Sequence, residues 1–318
     1  MTSIKRTSRQ KNNRSIWGSM ALILFVSLVG ISFVGAEPPA ATPGAPLDQK
    51  KIEAVFDHPG EMNKDVLKIS FPRTDLNVTL EGVQLKPGFA LGTWAAFKPV
   101  GNEAIALGDI VLKEEEVKPV ESKLKEKGIE ITAIHNHLIG EKPKVMYMHF
   151  LGKGNAEHLA ADLKEALQLT GTPLKGPQNT GKGAAGEAET AEAKKIDAIL
   201  RKEGKVKNGV IQYGIPRKES ITVNGVEIPP FMGLATAMNF QLGKEKTVTT
   251  GDFVLIDKEI EPVTQALRQN GIEVTALHNH LLGEEPRLFF LHFWGVGSST
   301  TLAEGLKKAL DQMTLPAS

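Results

Sequence analysis

The chain contains no cysteine, which excludes disulfides, a lipid anchor attached through cysteine and thiolate ligation of a metal. Aromatic residues make up only 6% of 318 positions, with two tyrosines and three tryptophans, so there is no interleaved platform on which bases would stack. The formal net charge is +1 and no basic stripe occurs beyond the N-terminus, so nucleic acid is not an expected partner. Long apolar runs are also missing, with one exception. Lys5, Arg6, Arg9, Lys11 and Arg14 precede the apolar stretch Ile16–Val34, and Val34-Gly35-Ala36 offers small residues for cleavage. Residues 1–36 therefore read as a signal peptide or, because the run is close to the roughly 20 residues that span a bilayer, as an uncleaved N-terminal anchor. In both cases the body is expected outside the cytoplasm, periplasmic or extracellular, with membrane contact only if the segment stays attached. Residues 37–48, rich in proline and alanine, read as a tether.

What the chain does have is a duplicated histidine block. Residues 133–152 read AIHNHLIGEKPKVMYMHFLG and residues 276–295 read ALHNHLLGEEPRLFFLHFWG, and these two blocks hold six of the eight histidines. Between Gly128 and Gly152, 15 of 25 positions match Gly271–Gly295, whereas between Gln84 and Leu107 only 4 of 24 match Glu227–Thr250. The two halves have diverged almost everywhere except here, so this block carries the constraint.

Periodicity places the block on strands. Glu114–Lys127 and Asp257–Asn270 are charged with apolar residues at helical spacing, and each stops at a glycine, Gly128 or Gly271. Ile129–Leu138 and Val145–Leu151 then read as strands joined through a Gly-Glu-x-Pro turn. A hairpin centred on Lys142 would set His135 opposite His149 and His137 opposite Tyr147, all on one face. Repeat two would place His278, His280 and His292 in the same way, with Phe290 in place of Tyr147. Asn136 and Asn279 would face the other side. Met146, Met148 and Phe150, like Phe289, Leu291 and Phe293, read as core.

Three convergent imidazoles suit a divalent metal, with zinc the default. His135, His137, His149, His278, His280 and His292 are thus the candidate ligands. Glu141 is a candidate base or oxygen ligand, and Tyr147 a candidate hydrogen-bonding group beside a metal-bound water. His-x-His-x-x-x-Glu resembles the first metal motif of cupins in ligand chemistry, although here the third histidine follows a short turn. Tyr147 favours the first triad for chemistry of a hydrolytic or lyase type. Whether the protein is an enzyme, and whether the triads form one site or two, stays open. A metal-free binding protein for a small anionic or sugar-like ligand, or an envelope scaffold with polar histidine cores, are the alternatives.

The rest of the chain repeats as well. A short helix, Gln49–Asp57 or Glu192–Arg201, leads to a strand ending at Pro72-Arg73 or Pro216-Arg217. A hairpin through Glu81-Gly82 or Asn224-Gly225 follows, then a strand carrying Phe97 or Phe240. Gly108-Asp109 and Gly251-Asp252 open the next strand, and the aspartates read as turn or cap residues. Arg73 and Arg217 read as surface ion-pair partners, and His58 and His158 as solvated. Helices Ala156–Leu169 and Thr300–Met313 close the repeats. The expected fold is α+β: two similar repeats, 49–170 and 192–314, each a mainly antiparallel sheet with flanking helices, related by a pseudo-twofold axis and joined by a glycine-rich linker, 171–191.

The duplicated His-Asn-His-Leu-x-Gly-Glu-x-Pro block with its later His-Phe resembles the LppY/LpqO-like family of exported bacterial proteins, over about Lys50 to Met313. The resemblance implies export and the two-repeat architecture, and supplies neither reaction nor substrate. The chain departs from the lipoproteins that give the family its name in lacking a lipobox cysteine.

Overall fold

A computed structural model describes residues 44–175 and 186–316. The expected signal or anchor segment 1–36 and most of the tether, as well as linker residues 176–185, lie outside the described residues. Among those described, no helix is long and apolar enough to cross a membrane.

Repeat one runs α1 (Gln49–Phe56), β1 (Glu61–Asn63), β2 (Val66–Pro72), β3 (Thr79–Leu80), β4 (Val83–Gln84), α2 (Pro87–Ala90), β5 (Gly92–Val100), β6 (Glu103–Lys113), α3 (Glu114–Glu126), β7 (Glu130–His135), β8 (Val145–Gly154) and α4 (Ala156–Leu167). Repeat two follows the same course: α5 (Glu187–Leu200), β9 (Lys205–Lys207), β10 (Val210–Pro216), β11 (Thr222–Val223), β12 (Val226–Glu227), a 3-10 turn at Pro230–Met232, β13 (Ala235–Leu242), β14 (Thr247–Leu255), α6 (Asp257–Gln269), β15 (Glu273–His278), β16 (Glu284–Glu285), β17 (Phe289–Gly297) and α7 (Ser299–Leu310). Each repeat builds a six-stranded antiparallel sheet, in the order β1-β2-β5-β6-β8-β7 and β9-β10-β13-β14-β17-β15. The expected α+β class and duplicated sheet-and-helix plan are thus what the chain adopts.

Side-chain alternation explains the layering. On β8, Met148 and Phe150 join Phe56, Phe97, Leu124 and Leu163 in a core between sheet and helices, and the second repeat builds the same layer from Phe240, Phe253, Leu267, Phe293 and Leu306. The opposite sheet faces meet each other. Ala96, Ile105 and Leu151 pack with Val223, Met232 and Phe290 of repeat two, while Phe89, Val111 and Tyr147 pack with Val210, Val248 and Trp294. The result is four layers, helix, sheet, sheet and helix, in which Tyr147, His149 and Leu151 alternate onto the inner face.

The linker is shorter than its composition suggested. Helix α5 begins at Glu187 rather than Glu192, because the alanine- and glutamate-rich run favours helix and buries Ala193, Ile196 and Leu200. Arg73 and Arg217 are corrected more sharply, since both are buried and not on the surface. Arg73 donates to Glu116 at 2.8 and 3.1 Å, to Asp75 and to the Val111 carbonyl. Glu116 also accepts the Lys113 backbone N–H, completing the N-terminus of α3. Arg217 repeats the arrangement with Glu259, Glu219 and the Val254 carbonyl. Each arginine ties the end of a strand to the start of the helix that precedes the histidine strands.

Removing one partner of such a pair leaves an uncompensated buried charge. Arg73→Ala is therefore expected to lower stability by about 3–5 kcal/mol, whereas replacing Arg73 with Met together with Glu116 with Leu recovers most of the loss. Urea unfolding of both variants decides this, and equal losses would refute it.

Candidate functional site

The six histidines form one cluster between the two sheets. Across the repeats, His135 stacks on His278 with ring centroids 3.7 Å apart, His149 on His280 at 3.7 Å and His137 on His292 at 3.9 Å. Tyr147 extends one column by stacking on His137 at 3.4 Å, and Phe290 extends its counterpart by stacking on His280 at 3.6 Å. A pseudo-twofold operation exchanges the two columns and swaps His135 with His278. Thr132 donates its hydroxyl to the His280 carbonyl, and Thr275 donates to that of His137, so each post-strand loop is fastened to the other repeat.

The expected face is right and the expected register is not. His135 lies opposite Tyr147, and Ala133 opposite His149, with a bulge between Ile131 and Ala133. His137 and His280 sit beyond the strand ends. The loop after them is drawn away from β8, because Lys142 exchanges two backbone hydrogen bonds with Thr79 at 2.8 and 2.9 Å. The corresponding Glu284–Glu285 segment pairs with β11.

Glu141 and Tyr147 also have other partners than those expected. The buried Glu141 carboxylate accepts the Val145 N–H at 3.2 Å, as Glu284 accepts that of Leu288 at 3.0 Å, so both glutamates close the turn. The Tyr147 hydroxyl donates to the Ala90 carbonyl at 2.9 Å, and only its ring meets the histidines. Asn136 and Asn279 donate to the Leu138 and Leu288 carbonyls, which is structural. His158 is exposed, while His58 is half-buried against the Phe71 ring.

Asp109 and Asp252 are corrected in the other direction. They do not sit at turns but mid-strand, directly opposite His149 and His292, and so share the inner face. Asp109 Oδ2 lies 3.9 Å from His137 Nε2, and Oδ1 lies 3.9 Å from His149 Nε2. Asp252 instead accepts the Ala237 N–H at 3.3 Å. Lys68, on β2, holds its ammonium group 3.8 Å above the Trp94 ring. An aspartate recurring inside an otherwise apolar strand was the visible signal for Asp109 and Asp252; nothing marked Lys68.

Burial governs the electrostatics. It pushes His135 down to about 3, with repulsion from His278 adding to it. It holds His137, His149, His280 and His292 well below the usual imidazole range and lowers His278. Burial raises Asp109 well above the carboxylate range, with repulsion from Asp252 adding to it, and pushes Asp252 up to about 7. The same desolvation brings Lys68 down to about 8, against the pull of Asp109.

The neutral imidazoles are also oriented. Nδ1 of His135, His278 and His292 lies 3.2, 3.3 and 3.0 Å from the carbonyls of Asn136, Asn279 and Gly251, and His149 bonds to the Gly108 backbone. Donation from Nδ1–H leaves the Nε2 lone pair facing inward. All six Nε2 atoms are buried without a hydrogen-bond partner, as is Asp109 Oδ1. Ligand atoms of His135, His278, His280 and His292 lie within 4.8 Å of one another, and so do those of His135, His137 and His149.

Two copies of one α+β unit thus enclose a single histidine centre with the donor set of a metal site. The family described as Domain of Unknown Function (DUF1259) matches residues 50–169 and 194–312, and the chain belongs to that family with two copies of its domain. No curated protein matches. Two solved structures are distantly similar: EtuB from Clostridium kluyveri (9% identity, TM-score 0.18) and the trimeric bacterial microcompartment shell protein PduB (9%, 0.19). Each alignment covers 80% of this chain and 89% of the other. A likeness at that level carries no functional argument.

Acid should destabilise the metal-free protein. The unfolded histidines bind protons near 6.5 while the folded ones do not, so their contribution is whole above 6.5 and is lost as pH falls toward the folded value, about 3 for His135. Asp109 and Asp252 act oppositely, but they are two groups against six. Denaturant unfolding of chelator-treated protein is expected to show a clear drop in stability from pH 7 to pH 5. Flat stability over that interval would show that the histidines are not held neutral.

Proposed function

We propose that this is an exported metal-binding protein whose shared centre holds a divalent transition metal, zinc being the first candidate, in the set His135, His278, His280 and His292. The observation that carries the reading is the convergence of six buried Nε2 atoms with no hydrogen-bond partner. A merely structural polar core would pair these atoms, because a buried polar atom left unpaired costs about 1–3 kcal/mol. A metal needs them neutral, unpaired and oriented from behind. Export rests on the sequence pattern of residues 1–36.

Glu141 and Tyr147 support binding rather than hydrolytic or lyase chemistry, because both are engaged elsewhere, one with the Val145 N–H and the other with the Ala90 carbonyl. The metal would supply Lewis acidity, and the histidines would hold it between the sheets.

Zinc loading of chelator-treated protein at pH 7.5, followed by desalting and elemental analysis, tests the reading. Bound zinc and a raised melting temperature are expected, since a ligand present at about 100 times its Kd stabilises by about 2.7 kcal/mol. His278→Ala should weaken retention strongly, and His158→Ala, at an exposed position, should not. No retained zinc together with an unmoved melting curve would refute the proposal.

A further inference from the structure

The four-histidine set leaves His137, His149 and Asp109 unused. We propose that these three form a second, open metal site beside the first, so that the centre is dinuclear. The inference rests on the metal-binding reading above.

Two donors that each bond one ion at about 2.1 Å lie at most about 4.2 Å apart. Asp109 Oδ2 to His137 Nε2 and Asp109 Oδ1 to His149 Nε2 are both 3.9 Å. Each separation is too long for a hydrogen bond, yet short enough for an ion to bridge. Asp109 Oδ1 and both Nε2 atoms are buried and unpartnered. Within the repeated architecture the feature is asymmetric, because Asp252, the counterpart of Asp109, accepts the Ala237 N–H. The pseudo-symmetry therefore does not by itself account for the free carboxylate of repeat one.

Two imidazoles and one carboxylate suit Zn²⁺, Fe²⁺ or Mn²⁺ and leave coordination positions for water or a ligand. A narrow pocket between the repeats, lined by Trp94, Gly108, His149, Gly233 and His280, touches His149 of this set and His280 of the first. Gly233 adopts φ of +86°, and a Cβ there would stand 2.7 Å from the Trp94 ring. A side chain at that position would therefore crowd the pocket.

The test is zinc stoichiometry by elemental analysis after loading and desalting at pH 7.5. Wild-type protein is expected to retain two zinc ions per chain, Asp109→Asn one and Asp252→Asn two. One zinc in wild type would overturn the second site while leaving the first standing, and none would remove both. Two zincs in Asp109→Asn would show that its carboxylate is not a ligand and also overturn the proposal. Should Asp109→Asn fail to fold, His137→Ala, at a half-buried position beyond the strand end, is read instead: one zinc is expected, and two would refute the site.

Discussion

An imidazole taken out of water must find a partner for each ring nitrogen or stay neutral with one lone pair exposed to its neighbours. Six such rings meet here where two sheets face each other, and the arrangement of the molecule follows from keeping them there. Backbone carbonyls behind His135, His278 and His292 take up one nitrogen of each ring. Stacking on Tyr147 and Phe290 closes the two outer columns. The threonine bonds across the axis then hold both loops, and neither repeat completes the centre alone.

Around that centre the two repeats reach the same architecture by different inter-repeat contacts. Repeat one sends its hairpin and α2 onto the second sheet with polar bonds: Gln241 and Asn239 donate to the Gln84 and Phe89 carbonyls, and Trp294 donates to Glu81. Both arms also bury apolar side chains against the opposite sheet, Val78, Leu80, Leu85 and Phe89 from repeat one and Val223, Ile228, Met232 and Leu234 from repeat two. Burial is common to the two arms, and the arm of repeat one adds directional bonds. The arms have diverged like most of the chain, whereas the histidine block that they enclose keeps 15 of 25 positions.

Much of the architecture was legible because its signals are local. Helix stops at Gly128 and Gly271 reflect positive φ, and the strand runs ending at Pro72 and Pro216 fall where the residue pattern put them. The histidine set was legible from its duplication. The hairpin register was not, because Lys142 pairs with Thr79, a partner 63 positions away that no local rule identifies. Arg73 was misplaced for a similar reason: its carboxylate partner, Glu116, is 43 positions distant, and a charged residue after a proline reads as solvent-facing until that partner is known.

The sequence by itself determined the two-fold repetition, the alternation that puts His149 and Tyr147 on one strand face and Met148 and Phe150 on the other, and the chemical identity of the donors. These follow from the strand period of two and from residue type, which need no knowledge of distant contacts. Only the tertiary structure decided that two triads become one centre, that Asp109 turns toward it and that Glu141 turns away. Those outcomes depend on how two sheets pack face to face, and each sheet's inner surface is read by residues more than a hundred positions away.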